Sequence, residues 1–330
     1  MNLTTTYLGL KLANPLLPGA SPMVDNMDTV RRLQDAGAPA FVMHSLFAEQ
    51  IEGNAAAFDR HVGRWEESFA EASSMFPDTS DYALGPEEYL ERLATIKRAT
   101  GLPVIASLNG TKLGSWVDHA RHIEKAGADA LELNTYFLAT QCSVTGADLE
   151  TRLVEIAKAV RSAVNIPVAV KLSPFYTSVA HLAGWLEEEK IDGLVLFNRF
   201  FQPEIDLDSL EVRPHLDLSG SEDLRLRLRW LGLLRDQVSF NLSCSGGVQS
   251  ADDVVKSLLA GADTVQTVAA LLRRGPGELA VMLAGLRRWM EEHEYQDVHE
   301  MRGALSQRRC PDPEAYERGN YLRSLQLWRE

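Results

Sequence analysis

Lys125-Ala126-Gly127-Ala128-Asp129-Ala130-Leu131-Glu132-Leu133-Asn134 runs from the end of a helical pattern, through a glycine corner, into a short apolar strand with a polar end. A glycine just past a helix can close the last turn in the left-handed conformation that other residues avoid. A short strand that is nearly all apolar suits a parallel sheet covered on both faces. The same junction recurs at Asp35-Ala36-Gly37-Ala38 before Phe41-Val42-Met43, at Ile191-Asp192-Gly193 before Leu194-Val195-Leu196-Phe197, and at Ala260-Gly261-Ala262-Asp263 before Thr264-Val265-Gln266. A second form opens the strand with proline, where a missing N–H costs little. It occurs at Pro103 before Val104-Ile105-Ala106 and at Pro167 before Val168-Ala169-Val170.

Asn14-Pro15-Leu16-Leu17 and Val238-Ser239-Phe240-Asn241-Leu242 bring the strand candidates to eight. Amphipathic helical stretches separate them, among others at 86–100, 115–126, 146–164, 178–189, 223–234 and 251–260. Eight alternating units predict an α/β fold of the (β/α)8 TIM-barrel type, because a doubly wound sheet needs fewer strands and a reversal of strand order. The 330 residues fit one barrel domain spanning the whole chain, since such barrels run to roughly 250 residues before insertions. Residues 1–13 read as an N-terminal hairpin, Thr4–Leu8 and Leu10–Leu12 around Gly9, plugging the barrel's amino end. Insertions at 47–85 and 199–221 follow strands, on the face where barrels keep their chemistry. Residues 303–330 read as a C-terminal extension that becomes helical after Pro311-Asp312-Pro313.

Composition narrows the function. With 45% hydrophobic and 24% charged residues and a formal net charge of -13, the chain suits a small-molecule substrate and not nucleic acid or an anionic membrane. Its three cysteines, Cys142, Cys244 and Cys310, are dispersed, which fits neither a disulfide framework, an iron–sulfur cluster nor a structural zinc site. No metal is expected. Without a signal-peptide profile at the start or an apolar run of membrane-spanning length, the expected compartment is the cytoplasm. A second copy of the chain is the expected protein partner.

Functional groups in a barrel sit at the carboxyl ends of its strands. Those ends carry Gly19-Ala20-Ser21, His44-Ser45, Ser107-Leu108-Asn109, Glu132-Leu133-Asn134, Lys171-Leu172-Ser173, Asn198-Arg199, Cys244-Ser245-Gly246-Gly247 and Gln266-Thr267. The set is rich in amides and poor in carboxylates. It suits a heterocycle with alternating carbonyl and N–H edges better than a paired-carboxylate hydrolase or a hard metal site. Gly246-Gly247 before a helix offers backbone N–H groups to a phosphate, or simply makes a tight turn. Lys171 can meet a ligand or pair with Glu132. Asn109, Asn134 and Asn198 can bind a ligand or cap the turns after them. His44 is a ligand contact or a core histidine, and Arg199 meets an anionic substrate or Glu204 or Asp206. Cys244 reads as a small buried hydrophobe, while Cys142 lies in a loop that can face the site.

With these motifs, and with Asn14-Pro15, Val170-Lys171-Leu172-Ser173-Pro174 and Leu259-Ala260-Gly261-Ala262-Asp263, the chain over residues 3–295 resembles the dihydroorotate dehydrogenase family. These are flavoproteins that oxidise a dihydropyrimidine. The resemblance implies FMN as cofactor, lined by Ala20 and Ser21. It implies that Asn109, Asn134 and Lys171 hydrogen-bond its ring and ribityl region, and that Gly246 and Gly247 hold its phosphate. Ser45 and Thr267 join that cofactor set from the strand ends; Asn134, Asn198 and Arg199 form the expected substrate set. The family's Leu-Ser-Cys-Pro-Asn stretch reads Thr135-Tyr136-Phe137-Leu138-Ala139 here. Phe137 thus stands at the position of the family's cysteine or serine base, and Ala139 replaces an asparagine. His44 replaces a lysine, and Val268-Ala269 replaces the usual Gly-Thr. The stretch Ser45-Leu46-Phe47-Ala48-Glu49-Gln50-Ile51 points to a subgroup lacking the usual base.

Since removing hydride from a C–H bond needs a timed proton acceptor, the replacement is Cys142, His44, Tyr136 or a water, with His44 and Cys142 the catalytic candidates. The reading is therefore an FMN-dependent oxidoreductase of dihydroorotate or a related small cyclic CH–CH donor, in pyrimidine biosynthesis. The alternatives are a non-catalytic flavin- or phosphate-binding barrel, and a flavin-free aldolase-type barrel using Lys171 as Schiff base.

Overall fold

In a computed structural model that describes residues 1–47, 86–109, 113–135, 137, 139–199, 202–215, 217–317 and 320–326, the short segments, most of them apolar, become strands. In chain order these are β1 (Thr5–Tyr7), β2 (Leu10–Leu12), β3 (Leu16–Pro18), β4 (Phe41–Phe47), β5 (Val104–Asn109), β6 (Ala130–Asn134), β7 (Val168–Leu172), β8 (Gly193–Leu196), β9 (Gln202–Asp206), β10 (Glu211–His215), β11 (Asn241–Ser245) and β12 (Thr264–Thr267). Eight of them form one parallel sheet in the order β3-β12-β11-β8-β7-β6-β5-β4. Its two ends, β3 and β4, lie against each other and nearly close a TIM barrel.

The flanking helices are α1 (Met27–Asp35), α2 (Pro86–Thr100), α3 (Leu113–Lys125), α4 (Gly146–Ala163), α5 (Val179–Glu188), α6 (Leu224–Leu234), α7 (Ala251–Ala260), α8 (Ala269–Arg274) and α9 (Glu278–Glu292). The starts of α1, α4 and α7 are set by side chains that satisfy the first free N–H groups. Asn26 accepts from Asp28 and Thr29, Thr145 forms a capping box with Asp148, and Ser250 accepts from Asp253. Gly37, Gly127 and Gly261 have φ of +99°, +96° and +131°, as the corner motif requires. Gly193 does not share that role. It lies inside β8, where an added Cβ would sit 3.0 Å from the Asn241 carbonyl oxygen, and the left-handed turn belongs to Lys190 at φ +61°.

Burial divides into two shells. Inside the barrel, Tyr7, Leu8 and Leu12 of the β1–β2 hairpin meet Leu17, Val42 and Ile105, forming an apolar floor at the amino end. Outside, the larger core fills the space between sheet and helices. The amino end is tied by Asp263, whose buried carboxylate accepts from the Leu242 N–H at 2.8 Å and pairs with Arg235 at 3.1 Å and Arg302 at 2.5 Å. Losing one partner of a buried ion pair costs about 3–5 kcal/mol. Asp263→Ala is therefore expected to lower unfolding free energy by about that amount in urea titrations; a change below about 1 kcal/mol would refute the assignment.

One local expectation needs correction, and two regions gain detail. The strand foreseen at 238–242 begins only at Asn241, because Ser239 is held outside the sheet by Glu187, which accepts from its N–H and hydroxyl at 2.6 Å each. The insertion at 199–221 contains the antiparallel pair β9–β10, with Pro203 opposite Pro214. Prolines in both strands disguise it in sequence, and a free two-stranded ribbon tolerates them. The extension from Gly303 starts as turns bonded to α6 and α7 (Gly303 N–H to Leu258, Gln307 N–H to Gly232) before a 3-10 turn at Pro313–Tyr316 and the helix Asn320–Gln326. The insertion foreseen at 47–85 lies, from residue 48 on, outside the described residues. No described helix is long and apolar enough to cross a membrane.

Candidate active site

Above the apolar floor, the alternation of each strand turns polar residues into the barrel. Glu132 of β6, 1% exposed, accepts from Gln266 Nε2 of β12 at 2.9 Å, and its other oxygen lies 3.1 Å from Lys171 Nζ of β7. The Lys171 contact is an ion pair by distance without the alignment of a hydrogen bond. The ammonium, on a residue 7% exposed, makes no hydrogen bond among the described residues, so its donors are available to a ligand. Of the two sequence-level readings for Lys171, pairing with Glu132 is thus present without using up the ammonium. Burial, with Glu132 adding to it, pushes the Tyr7 hydroxyl beneath this layer well above its ordinary range.

The next layer is the amide rim. Asn198 Nδ2 donates to Asn134 Oδ1 at 2.5 Å, and Asn134 Nδ2 donates to Ser45 Oγ at 2.9 Å. Ser45 and Ser107 share a hydrogen bond of 2.9 Å between their hydroxyls. The chain of contacts joins β4, β5, β6 and the end of β8, and Asn134 stands beside Lys171 in the strand register. Neither asparagine is bonded as a cap in these contacts. Asn109, buried at the end of β5, completes the rim.

Across the mouth, Gly246 and Gly247 are consecutive left-handed residues at φ +90° and +83°. A Cβ on Gly247 would fall 2.4 Å from the Leu224 nitrogen, so only glycine lets this loop lie on the start of α6. Thr267 Oγ1 donates to the Val248 carbonyl at 3.0 Å, which ties the loop to β12. The Gly19-Ala20-Ser21 turn is held there too, through the Gly19 N–H to Thr267 carbonyl bond at 3.0 Å. Ser21 Oγ and Gln266 Oε1 are buried without a hydrogen-bond partner among the described residues. Buried polar atoms are ordinarily paired, so such orphans mark places a ligand can satisfy. The start of α7 is already capped by Ser250 and Asp253. A phosphate here would therefore rely on the glycine loop itself.

The remaining candidates separate. His44 leaves the amide rim: its Nδ1 lies 3.1 Å from Asp25 Oδ1, and its ring meets Tyr89 edge to face at 5.4 Å. Arg199 lies nearest Asp223, at 4.0 Å, and not Glu204 or Asp206; Asp206 pairs with Arg213 at 2.7 Å. Cys142 is exposed in the loop before α4, whereas burial pushes the Cys244 thiol up to about 11. Phe137 is half-buried with the Arg152 guanidinium 4.5 Å above its ring. Burial pushes the nearby Tyr176 hydroxyl up to about 12. Arg227, absent from the strand-end set, lies against Gly246. The signal was present, since Arg227 shares the stripe Leu224, Leu231 and Leu234 on the buried face of α6.

The family model described as "Dihydroorotate dehydrogenase" matches residues 2–290. Among curated relatives, the "Dihydroorotate dehydrogenase B (NAD(+)), catalytic subunit" of Thermoplasma acidophilum is 26% identical, covering 92% of this chain and 98% of its own length. The protein of the same name from Thermoplasma volcanium is 28% identical, covering 93% and 99%. The "NAD-dependent dihydropyrimidine dehydrogenase subunit PreA" of Escherichia coli is 24% identical over 94% of this chain and 78% of its own.

Proposed function

The chain belongs to the dihydroorotate dehydrogenase family and is an oxidoreductase of CH–CH donors, and from that premise we propose that the whole chain, as one barrel domain, binds FMN and oxidises dihydroorotate or a related small cyclic substrate. The observation that carries this reading is the convergence on one mouth of an uncommitted buried ammonium, an amide rim and a left-handed glycine pair. The fit to FMN is supported by the orphaned Ser21 Oγ and Gln266 Oε1 and by the glycine loop that no Cβ would permit.

When bound, the flavin supplies the hydride acceptor. Lys171, held from below by Glu132, would offer its ammonium to negative charge on the bound ring. Asn134 and Asn198 are locked to each other and orient the substrate's carbonyl and N–H groups. Arg199 offers its guanidinium to a substrate carboxylate. Ala20, Ser21, Ser45, Asn109 and Thr267 line or brace the cofactor, and Gly246 and Gly247 receive its phosphate. A cytoplasmic homodimer completes the reading, checked by fractionation and by sedimentation of the purified chain.

The proton needs a separate acceptor, because Phe137 cannot take one. Of the two candidates, His44 is the better supported: its Nδ1 lies 3.1 Å from Asp25 Oδ1, a charge contact by distance without the alignment of a hydrogen bond. Exposed Cys142 has no such support among the described residues. His44→Gln is expected to slow bound-flavin reduction by about 100-fold or more while flavin content is retained, and Cys142→Ser to leave the rate unchanged. The reverse pattern in stopped-flow absorbance would transfer the role to Cys142. The parent proposal is tested more simply. The purified protein should be yellow and bleach anaerobically with dihydroorotate, then recolour with fumarate, quinone or oxygen. A colourless preparation that takes up no added flavin would overturn it.

A further inference from the structure

Arg227 is only 8% exposed, yet no carboxylate lies within ion-pair distance of it among the described residues. Its Nε donates to the Ser245 carbonyl at 3.0 Å and its Nη1 to the Asp223 carbonyl at 2.9 Å. Two backbone acceptors thus fix the plane of the guanidinium but bring no negative charge. Nη2 has no hydrogen-bond partner among the described residues and points at the glycine loop, where a Cβ on Gly246 would lie 2.8 Å from it. Burying a cation without a counter-charge is costly, and buried charges in folded proteins are paired. The position deepens the puzzle: Leu224, Leu231 and Leu234 occupy the same face of α6, where another aliphatic residue would pack at no electrostatic cost.

The neighbourhood is also cationic. Burial first, and then the charge of Arg199, pull the Arg227 guanidinium below its ordinary range, while the Asp223 carboxylate acts in the opposite sense. That carboxylate already accepts from the Gly220 N–H at 3.0 Å and stands 4.0 Å from Arg199. Arg199 and Arg227 both feel the Asp223 carboxylate, while the buried Asp253 carboxylate is taken up by Gln249, Ser250 and Ser221. A locally built cation in an acidic protein fits an anionic ligand better than a structural pairing.

We propose that Arg227 is a phosphate-binding residue, its free Nη2 edge taking an oxygen of the cofactor's phosphate beside the Gly246-Gly247 backbone. This rests on the FMN reading given above and adds a side-chain charge to a cradle otherwise made of main-chain N–H groups. Glycine at 246 then has a second purpose, since a methyl there would displace the guanidinium.

The test compares FMN with riboflavin, which lacks the phosphate, by fluorescence titration of the flavin-stripped full chain. Arg227→Met is expected to weaken FMN by about 10- to 100-fold, the range of a charge-assisted hydrogen bond, and to leave riboflavin unchanged. Equal weakening of both ligands, or of neither, overturns the proposal. If methionine unfolds the chain, Arg227→Gln, whose amide can still donate to the Ser245 carbonyl, decides on the same criterion. Thermal melts with inorganic phosphate separate this idea from the parent reading. Stabilisation of the wild type that is lost in Arg227→Gln, in a chain that binds no flavin, sinks the flavin assignment and keeps Arg227. Tight flavin binding without any preference for FMN does the opposite.

Discussion

Lys171→Met is expected to abolish bound-flavin reduction and to destabilise the folded chain together, and the second effect explains why the first is so large. Glu132 is 1% exposed; without the ammonium its only remaining side-chain partner among the described residues is Gln266. An unpaired buried carboxylate costs about 3–5 kcal/mol relative to the pair. Its position would loosen just where the ring edge is to be held. The two effects can be separated. In the double variant Lys171→Met with Glu132→Gln, the buried charge is gone and the introduced amide can share hydrogen bonds with Gln266, so most of the lost stability should return. Flavin reduction should not. Urea unfolding of both variants, with stopped-flow absorbance on the same samples, reads both quantities. If the double variant also regains reduction, Lys171 serves the fold and not the chemistry.

That pairing marks where the sequence stopped being legible. The barrel could be read from corners such as Gly37, Gly127 and Gly261, because a left-handed residue at a helix end is a local requirement with a local signature. Gly193 carries the same signature for a different reason: it makes room for β11, a contact between strands that no local pattern encodes. The polar strand ends could likewise be named, since each ends a short apolar run. Their connections could not. Asn134 meets Ser45 at a separation of 89 residues and Asn198 at 64, so whether these groups cap their own turns or bind each other depends on barrel closure. Arg227 illustrates the opposite error. Its place on an apolar helical stripe was visible, but in Leu-Arg-Leu-Arg-Leu-Arg alternating charge looks like an ordinary solvated face. His44 and Asp25 come from different elements, so their contact, too, required the fold.

The glycine loop permits a sharper test, because two glycines given the same methyl should respond with opposite signs. Gly247→Ala forces a side chain into φ +83° and places its Cβ 2.4 Å from the Leu224 nitrogen and 2.8 Å from the Leu224 Cα. Backbone strain of about 1–2 kcal/mol and overpacking of about 1–3 kcal/mol act together, since the obstacle is main chain at the start of α6 and cannot rotate away. The loop must lift from α6, moving its N–H groups away from Arg227 and from the Thr267 tether. FMN affinity should therefore fall more than riboflavin affinity. Gly184, inside α5, has open space where its Cβ would go. There alanine relieves the entropy cost of a helical glycine, and Gly184→Ala should gain about 0.5–1 kcal/mol. Urea midpoints moving in opposite directions, with loss of FMN-over-riboflavin preference only at position 247, are the expected result. A Gly247→Ala protein that unfolds and binds FMN like the wild type would mean that the close approach of this loop to α6 has no bearing on cofactor binding.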